Sequence, residues 1–277
     1  MKRELWIAGA LFALAGCGDS ATGTGTVAAT LWGEEFIQDQ IPASEVEDGW
    51  TIRYTKFLVN LGQMTVASSS GGAGGSVSGF RVFDLHTLTG PTSFGRLTGV
   101  SAERMDRISY RLNTVDAQTA LGNATQADLD AMRAGGYSVY VEGTAEKMGR
   151  SVRFRWGFAQ RVLYETCHSS ETEVGVAVPT DGTATAQITI HGDHLFYDDL
   201  QSPDAKLRFD AIAGADANMD GEVTLDELAA VDLTTLPAMQ YGAGSAPNVR
   251  SLRDFVSYLV ATVGHFNGEG HCEERRE

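Results

Sequence analysis

The feature of this chain that most constrains its fold is an alternation of apolar and polar residues, with a period of two, between Leu31 and Ile190. Successive side chains of an extended strand point to opposite faces, so the alternation predicts strands with one buried face. A content of 32 glycines against 6 prolines also favours strands joined by turns. We therefore expect a mainly β protein, with an antiparallel β-sandwich over residues 31–195. The clearest apolar pairs are Ile52 and Tyr54, Phe57 and Val59, Ile108 and Tyr110, Val139 and Val141, and Phe154 and Trp156.

Helical periodicity replaces the alternation in the C-terminal part of the chain. A helix is expected over about 247–263, because its apolar residues recur at helical spacing and Gly264 follows them. We therefore expect residues 196–277 to form a helical extension packed on the β body. Inside the body, one helix is expected between Thr125, which can cap it, and Gly135-Gly136, which end it.

The most specific motif is an acidic segment of twelve residues in that extension, from Asp216 to Glu227. It resembles the calcium-binding loop of an EF-hand, in which oxygen atoms surround the ion and a central glycine, here Gly221, makes the sharp turn. In an EF-hand the seventh position uses its backbone carbonyl and the twelfth uses both carboxylate oxygens. The resemblance implies calcium ligands at Asp216, Asn218, Asp220, Glu222, Thr224 and Glu227.

The loop is single, whereas EF-hands usually occur in pairs. A lone loop with a short outgoing helix favours a structural or buffering calcium site over a sensor, because a sensor exposes a groove that it forms with a partner hand. The alternative interpretation is an acidic turn that only resembles the loop.

The N-terminal residues form a targeting segment. After a basic start, the apolar run at residues 5–14 is too short to span a bilayer. It ends in Leu14-Ala15-Gly16-Cys17, which resembles the lipobox of bacterial lipoproteins. The resemblance implies a signal peptide at residues 1–16, lipidation of Cys17, and a lipid anchor to a membrane of the bacterial cell envelope, the outer membrane or cell surface being favoured. The alternative is a plain signal peptide without lipidation of Cys17. Residues 17–30 are small and polar and are expected to form a tether.

Two further cysteines remain if Cys17 is lipidated. An exported protein with an even number of remaining cysteines is expected to form a disulfide, here between Cys167 and Cys272. The bond would contribute ~3–5 kcal/mol because it closes a long loop. Both cysteines adjoin a histidine, His168 or His271, so a metal site that uses the thiolates is the alternative.

Histidines supply a second set of candidate metal ligands. If the Gly192-Asp193 segment after the last strand forms a turn, His191 and His194 can converge on one ion, and Asp193 can act as a ligand or orient an imidazole. The expected ion is copper or zinc, which imidazole binds well. The alternative is that the histidines form local hydrogen bonds in polar turns. The candidate ligands are His191, His194, His265 and His271.

The arrangement of strands, a Phe154-Arg155-Trp156 segment, Cys167 and late histidines is similar to that of periplasmic copper-binding lipoproteins of the methanobactin-associated kind. Those proteins are rich in β structure and combine histidine ligands with a redox-modified tryptophan. The similarity is one of arrangement, so it implies a copper site without identifying its ligands.

Charge and motif content exclude some classes of function. A formal net charge of −15 argues against nucleic-acid binding, which requires clustered lysine and arginine. The chain has no nucleophile elbow, no phosphate-binding glycine loop, no dinucleotide fingerprint and no H-E-x-x-H helix. The acidic pairs Glu34-Glu35 and Asp198-Asp199 are expected to be solvated.

Three hypotheses follow, and none of them identifies a protein partner. The first is an envelope lipoprotein that binds calcium and also a transition metal. The second is a structural or adhesive surface protein in which calcium only stiffens the extension. The third is a metal-dependent enzyme that uses the histidine cluster, although catalysis is not favoured by any motif.

Overall fold

The structure is a computed structural model that describes residues 23–238 and 240–277. The expected signal peptide and the expected lipidation site Cys17 lie outside the described residues. Fifteen strands and five α-helices occur in the described part of the chain, so the protein is mainly β. None of the described helices is long and apolar enough to cross a bilayer.

The strands and helices are numbered separately in chain order. The strands are Thr24–Gly33 (β1), Thr51–Ala67 (β2), Gly75–Asp84 (β3), Thr92–Ser101 (β4), Arg104–Met105 (β5), Arg107–Leu112 (β6), Ala120–Leu121 (β7), Val139–Lys147 (β8), Arg150–Phe158 (β9), Val162–Glu165 (β10), Val176–Ala177 (β11), Thr183–Ile190 (β12), Glu222–Val223 (β13), Gly264–Phe266 (β14) and Glu273–Arg276 (β15). The helices are Glu35–Gln38 (α1), Gln126–Gly135 (α2), Asp210–Gly214 (α3), Leu225–Ala230 (α4) and Leu252–Leu259 (α5). Short 3-10 helices span Asp193–Phe196, Leu233–Thr235 and Val260–Thr262.

Two large sheets carry most of these strands, and both are mixed. The four-stranded sheet has the order β14-β12-β1-β4, in which β1 and β12 are parallel. The nine-stranded sheet runs β13-β9-β8-β2-β6-β10-β15, and off this path β3 pairs with β2 and β7 pairs with β3. In this sheet β13 is parallel to β9. An antiparallel arrangement was expected, and most strand pairs are antiparallel, but the parallel pairs were not foreseen, because alternation reveals which residues are buried and not which distant strands pair.

The two sheets contribute to one hydrophobic core. Leu31 and Ile188 of the smaller sheet and Tyr54 and Trp156 of the larger sheet belong to the same buried cluster. The period-two positions of the larger sheet are the buried ones, as in β9, where Val152, Phe154, Trp156 and Phe158 all face inward.

Part of the segment that was expected to be a tether is folded. Residues 24–30, which were assigned to the tether of 17–30, form most of β1, and β1 is a central strand between β12 and β4. Val27 and Ala29 are fully or almost fully buried, at 0% and 1% exposure. The alternation is hard to recognise at this end of the strand, because glycine, alanine and threonine are also typical of linkers.

The C-terminal region is only partly a helical extension. It contains α3, α4 and α5, but its short strands β13, β14 and β15 complete the edges of the two sheets. α5 is also shorter than the helix expected over 247–263. Ser251 caps it by accepting a hydrogen bond from the backbone N–H of Asp254, so the helix begins at Leu252.

The helix expected within the body is confirmed as α2. The Thr125 side chain accepts a hydrogen bond from the backbone N–H of Asp128, and Asp128 in turn accepts one from the backbone N–H of Thr125. Gly136 ends the helix in the left-handed region, with a φ of 64°.

A disulfide ties the C-terminal tail to the body. The Sγ atoms of Cys167 and Cys272 lie 2.04 Å apart. Beyond the bond, β15 pairs with β10 in antiparallel register. The backbone N–H of His168 donates to the carbonyl of His271, with 2.7 Å between the two atoms, so these histidines are neighbours as expected if the disulfide forms.

Candidate metal centre

Three histidines converge where the smaller sheet ends. His191 directly follows β12, His194 lies in the 3-10 helix Asp193–Phe196, and His265 is the middle residue of β14. Each offers a ligand nitrogen, and these nitrogens lie within 4.8 Å of one another. The exposed fractions of His191, His194 and His265 are 4%, 9% and 4%, so the cluster is buried.

Gly192 makes the turn between His191 and His194 possible. A Cβ atom at Gly192 would lie 2.5 Å from Cγ1 of Ile37 and 3.0 Å from Cε2 of Tyr54. The Tyr54 hydroxyl also donates to the Gly192 carbonyl, with 2.6 Å between the oxygens. The turn is therefore packed and hydrogen-bonded, and it brings together two side chains that would point to opposite faces of a strand.

His271 lies at the margin of the cluster. Its ring centroid is 4.8 Å from that of His265, but its side chain is exposed and its nitrogens do not converge with the other three. Of the four histidines predicted as ligands, the structure thus brings together His191, His194 and His265.

The hydrogen bonds of His194 fix its tautomer. Its Nδ1 lies 2.9 Å from Oγ1 of Thr262, and that hydroxyl donates its only proton to the carbonyl of Leu259 at 2.9 Å. Thr262 therefore accepts a hydrogen bond from Nδ1–H of His194. The lone pair of His194 is consequently on Nε2, where it is available to a metal ion.

His191 pairs with a carboxylate that sequence reasoning missed. Its Nδ1 lies 3.0 Å from Oε1 of Glu34, and its Nε2 lies 3.3 Å from the carbonyl of Gly268. Although burial opposes the charged ring, the hydrogen bond and charge of Glu34 raise the pKa of His191 above its usual value.

Glu34 was expected to be solvated, and this expectation is wrong. Glu34 directly follows β1 and His191 directly follows β12, and the last residues of these parallel strands, Gly33 and Ile190, are paired. The two side chains therefore emerge side by side. The Glu34 side chain is 18% exposed. Asp198, also expected to be solvated, is 7% exposed and pairs with Arg208 at 2.5 Å.

Asp193 adds a second carboxylate. Ligand atoms of Glu34, His191 and Asp193 also lie within 4.8 Å of one another. Oδ2 of Asp193 accepts a hydrogen bond from the Tyr197 hydroxyl at 3.4 Å, whereas Oδ1 is buried without a hydrogen-bond partner. Burial, together with the negative charge of Glu34, raises the pKa of Asp193 to about 7.

His194 and His265 are neutral at neutral pH. Burial, reinforced by the charge of His191, lowers the pKa of His194 to about 3 and that of His265 to about 2. A neutral imidazole is the form that binds a metal ion. Nδ1 of His265 is also buried without a hydrogen-bond partner, which is unusual for a polar atom and suggests that it interacts with a ligand.

A surface groove of about 280 Å³ gives access to the cluster. His194, Tyr197, His265 and His271 are among the residues that line it. An ion can therefore reach the buried nitrogens from solvent, and exposed His271 lies on the approach.

The predicted calcium loop lies between α3 and α4, away from the histidines in sequence. The Asp216 carboxylate accepts hydrogen bonds from the backbone N–H groups of Asp220 and Gly221, both at 3.1 Å. Gly221 has a φ of +77°, a conformation that favours glycine. Oδ1 of Asn218 accepts from the same Asp220 N–H at 2.9 Å.

The last two predicted calcium ligands cap α4. Oε2 of Glu227 accepts hydrogen bonds from the backbone N–H and the hydroxyl of Thr224, at 2.9 and 3.0 Å. One carboxylate oxygen of Glu227 is thus already used. Glu222 and Val223 pair with β9, so this short strand joins the large sheet and not a second EF-hand.

Comparison of the chain with protein-family models, with curated proteins and with solved structures gave no significant match in any of the three searches. The functional assignment therefore depends on the chemistry of the residues themselves.

Proposed function

We propose that this protein is a lipid-anchored protein of the bacterial cell envelope that binds one transition-metal ion, copper or zinc, through His191, His194 and His265. The convergence of three buried imidazoles within 4.8 Å carries the proposal. Buried polar groups normally have partners, so three clustered rings with an orphaned His265 nitrogen favour a ligand. Imidazole is a good ligand for both metals.

The distances between the three ligand nitrogens suit such an ion after a small movement of the side chains. Bonds from zinc to histidine nitrogen measure about 2.0–2.1 Å, so nitrogens that share a tetrahedral ion lie about 3.4 Å apart. Nitrogens that lie within 4.8 Å of one another need to approach by about 1.4 Å or less. Rotations of the side chains supply such movements without a change of the backbone.

The disulfide and the lipobox support the cellular location. A Cys167–Cys272 disulfide suits an oxidising compartment, which agrees with export and with lipidation of Cys17. We also propose that the two large sheets pack face to face as a sandwich, since their buried residues share one core.

Metal analysis of the purified protein tests the proposed centre. We expect one equivalent of zinc or copper after loading and dialysis, measured by elemental analysis. His265→Ala is expected to abolish the binding, whereas His86→Ala, a histidine outside the cluster, is expected to retain it. Circular dichroism checks that both variants are folded. Absence of bound metal in the folded wild-type protein would refute the proposal.

A second candidate function is calcium binding by Asp216, Asn218, Asp220, Glu222, Thr224 and Glu227. The inward-turned Asp216 carboxylate, the positive φ of Gly221 and the helices on both sides of the loop support it. The single loop and its attachment to the large sheet favour a structural site.

Thermal unfolding with calcium and with a chelator tests the loop. Calcium at 100 times its dissociation constant is expected to stabilise the fold by about 2.7 kcal/mol. Glu227→Gln is expected to abolish this shift, whereas Asp226→Asn is expected to retain it, because the Asp226 side chain is 97% exposed. Identical unfolding curves with calcium and chelator would contradict calcium binding.

A further inference from the structure

The charges around the histidine centre restrict the ion that it can hold. A metal ion is bound through the neutral form of each imidazole, so the ligand rings contribute no net charge. The carboxylates of Glu34 and Asp193 reach the same place, with ligand atoms within 4.8 Å of each other and of a His191 nitrogen. When a bound cation keeps both of them ionised, they supply two negative charges to a buried site.

Within the described part of the chain, no arginine or lysine forms an ion pair with either carboxylate. In residues 23–238 and 240–277, the only ion pair of Glu34 is with His191, and Asp193 has none. Asp193 is 8% exposed, and its Oδ1 is buried without a hydrogen-bond partner. An uncompensated charge is costly in a buried site, where Coulomb interactions are stronger than in water.

We propose that the centre selects an ion in the +2 state, Zn(II) or Cu(II), over Cu(I), and that Glu34 and Asp193 are the residues that determine this selectivity. The inference rests on the proposed metal centre. A divalent ion cancels the charge of two carboxylates, whereas Cu(I) leaves one negative charge buried. Both cysteines of the described chain are joined in the disulfide, so the soft thiolate ligands that favour Cu(I) are not provided there.

The two carboxylates act on the ion by different routes. Glu34 contacts Nδ1 of His191 at 3.0 Å, so Nε2, which lies 3.3 Å from the Gly268 carbonyl, is the nitrogen that would turn to the ion. Glu34 is a positioning residue, because a carboxylate on the second ring nitrogen orients the ligand and raises its basicity. Oδ1 of Asp193 has no hydrogen-bond partner, so it can face the metal ion. Asp193 therefore acts on the ion through its negative charge. Their removal should therefore weaken binding of a dication more than binding of a monocation.

Paired affinity measurements test the selectivity. Zn(II) affinity is measured by competition with a chromophoric chelator, and Cu(I) affinity by competition with a Cu(I) chelator under anaerobic conditions. Glu34→Gln and Asp193→Asn are each expected to lower Zn(II) affinity by about 10–100-fold, the usual effect of removing such a partner. Cu(I) affinity is expected to fall by only about 3–10-fold, because the Coulomb attraction lost by a monocation is about half of that lost by a dication.

Matched variants separate charge from packing. Glu35→Gln, at the exposed neighbouring carboxylate, is expected to leave both affinities unchanged. Glu34→Asp keeps the charge and is expected to restore part of the preference for Zn(II). The reduction potential of bound copper, measured by redox titration, is expected to rise in Glu34→Gln, because loss of a negative charge favours Cu(I).

The outcomes distinguish this inference from the proposed function. Equal losses of Zn(II) and Cu(I) affinity in the carboxylate variants would overturn the selectivity but leave the histidine centre intact. Two bound equivalents per chain would also overturn it, because the charge balance requires one ion. A folded wild-type protein that binds none of these ions would refute the centre itself.

Discussion

Replacement of Gly192 by alanine tests whether the histidine turn is as tightly packed as the structure indicates. The added Cβ would lie 2.5 Å from Cγ1 of Ile37 and 3.0 Å from Cε2 of Tyr54, and Ile37 and Tyr54 are buried. Distances under 3.0 Å require a neighbour to move, and overpacking of this kind costs about 1–3 kcal/mol. For a domain of this size, each kcal/mol lowers the Tm by about 2–4 °C.

Scanning calorimetry of Gly192→Ala is therefore expected to show a Tm lower by about 2–12 °C. Metal affinity should also fall, because movement of the turn displaces His191 and His194. The matched control is Gly214→Ala, in α3, where an added Cβ meets no atom within 4 Å. That variant is expected to be neutral or slightly stabilising. If Gly192→Ala unfolds at the temperature of Gly214→Ala, the turn is not the rigid element argued above.

Three other changes have definite expected effects. Burial opposes ionisation of Asp128, but its hydrogen bonds with Lys56 and Thr125 lower its pKa. The ionised side chain therefore stabilises the fold at neutral pH, and this stabilisation is lost as the pH falls through the acidic range. Asp128→Asn should cost about 1–2 kcal/mol in urea unfolding at pH 7, and the difference from wild type should shrink as the pH falls below the ordinary range of a carboxyl pKa. A constant difference at every pH would contradict the ion pair. Cys272→Ser should lower the free energy of unfolding, measured without reductant, by about 2–5 kcal/mol. An unchanged free energy of unfolding would mean that the disulfide does not constrain the C-terminal tail. Trp156→Phe removes the indole N–H that donates to the Val223 carbonyl, 2.9 Å away, and should lower the free energy of unfolding by about 1 kcal/mol. Faster hydrogen exchange of the β13 amides would be the effect specific to this bond.

The sequence predicted local features of the fold well and distant pairings poorly. The alternation located the buried positions of β9, and Thr125 with its terminal glycines located α2. Both signals depend on neighbouring residues. The parallel pair β1 and β12 left no such signal, since its two members are far apart in the chain and β1 is composed of small residues.

The same distinction applies to the candidate site. His191 and His194 were paired correctly because a glycine between them indicates a turn, and their separation is short. Glu34 could not be found in this way, because it reaches His191 only through the parallel pairing of β1 with β12. The signal that could have found it is its position directly after a strand, since carboxyl ends of adjacent parallel strands lie at one edge of a sheet.

The pairing of β1 with β12 also determines when the centre can form during folding. β1 cannot complete its sheet until β12 and then β14 have emerged, and His265 belongs to β14. Contacts between segments so distant in the chain form slowly, because a long loop has to close first. The three imidazoles therefore stay far apart until this loop has closed. Any ion that the three histidines bind would accordingly be acquired late in folding, after β14 has joined its sheet.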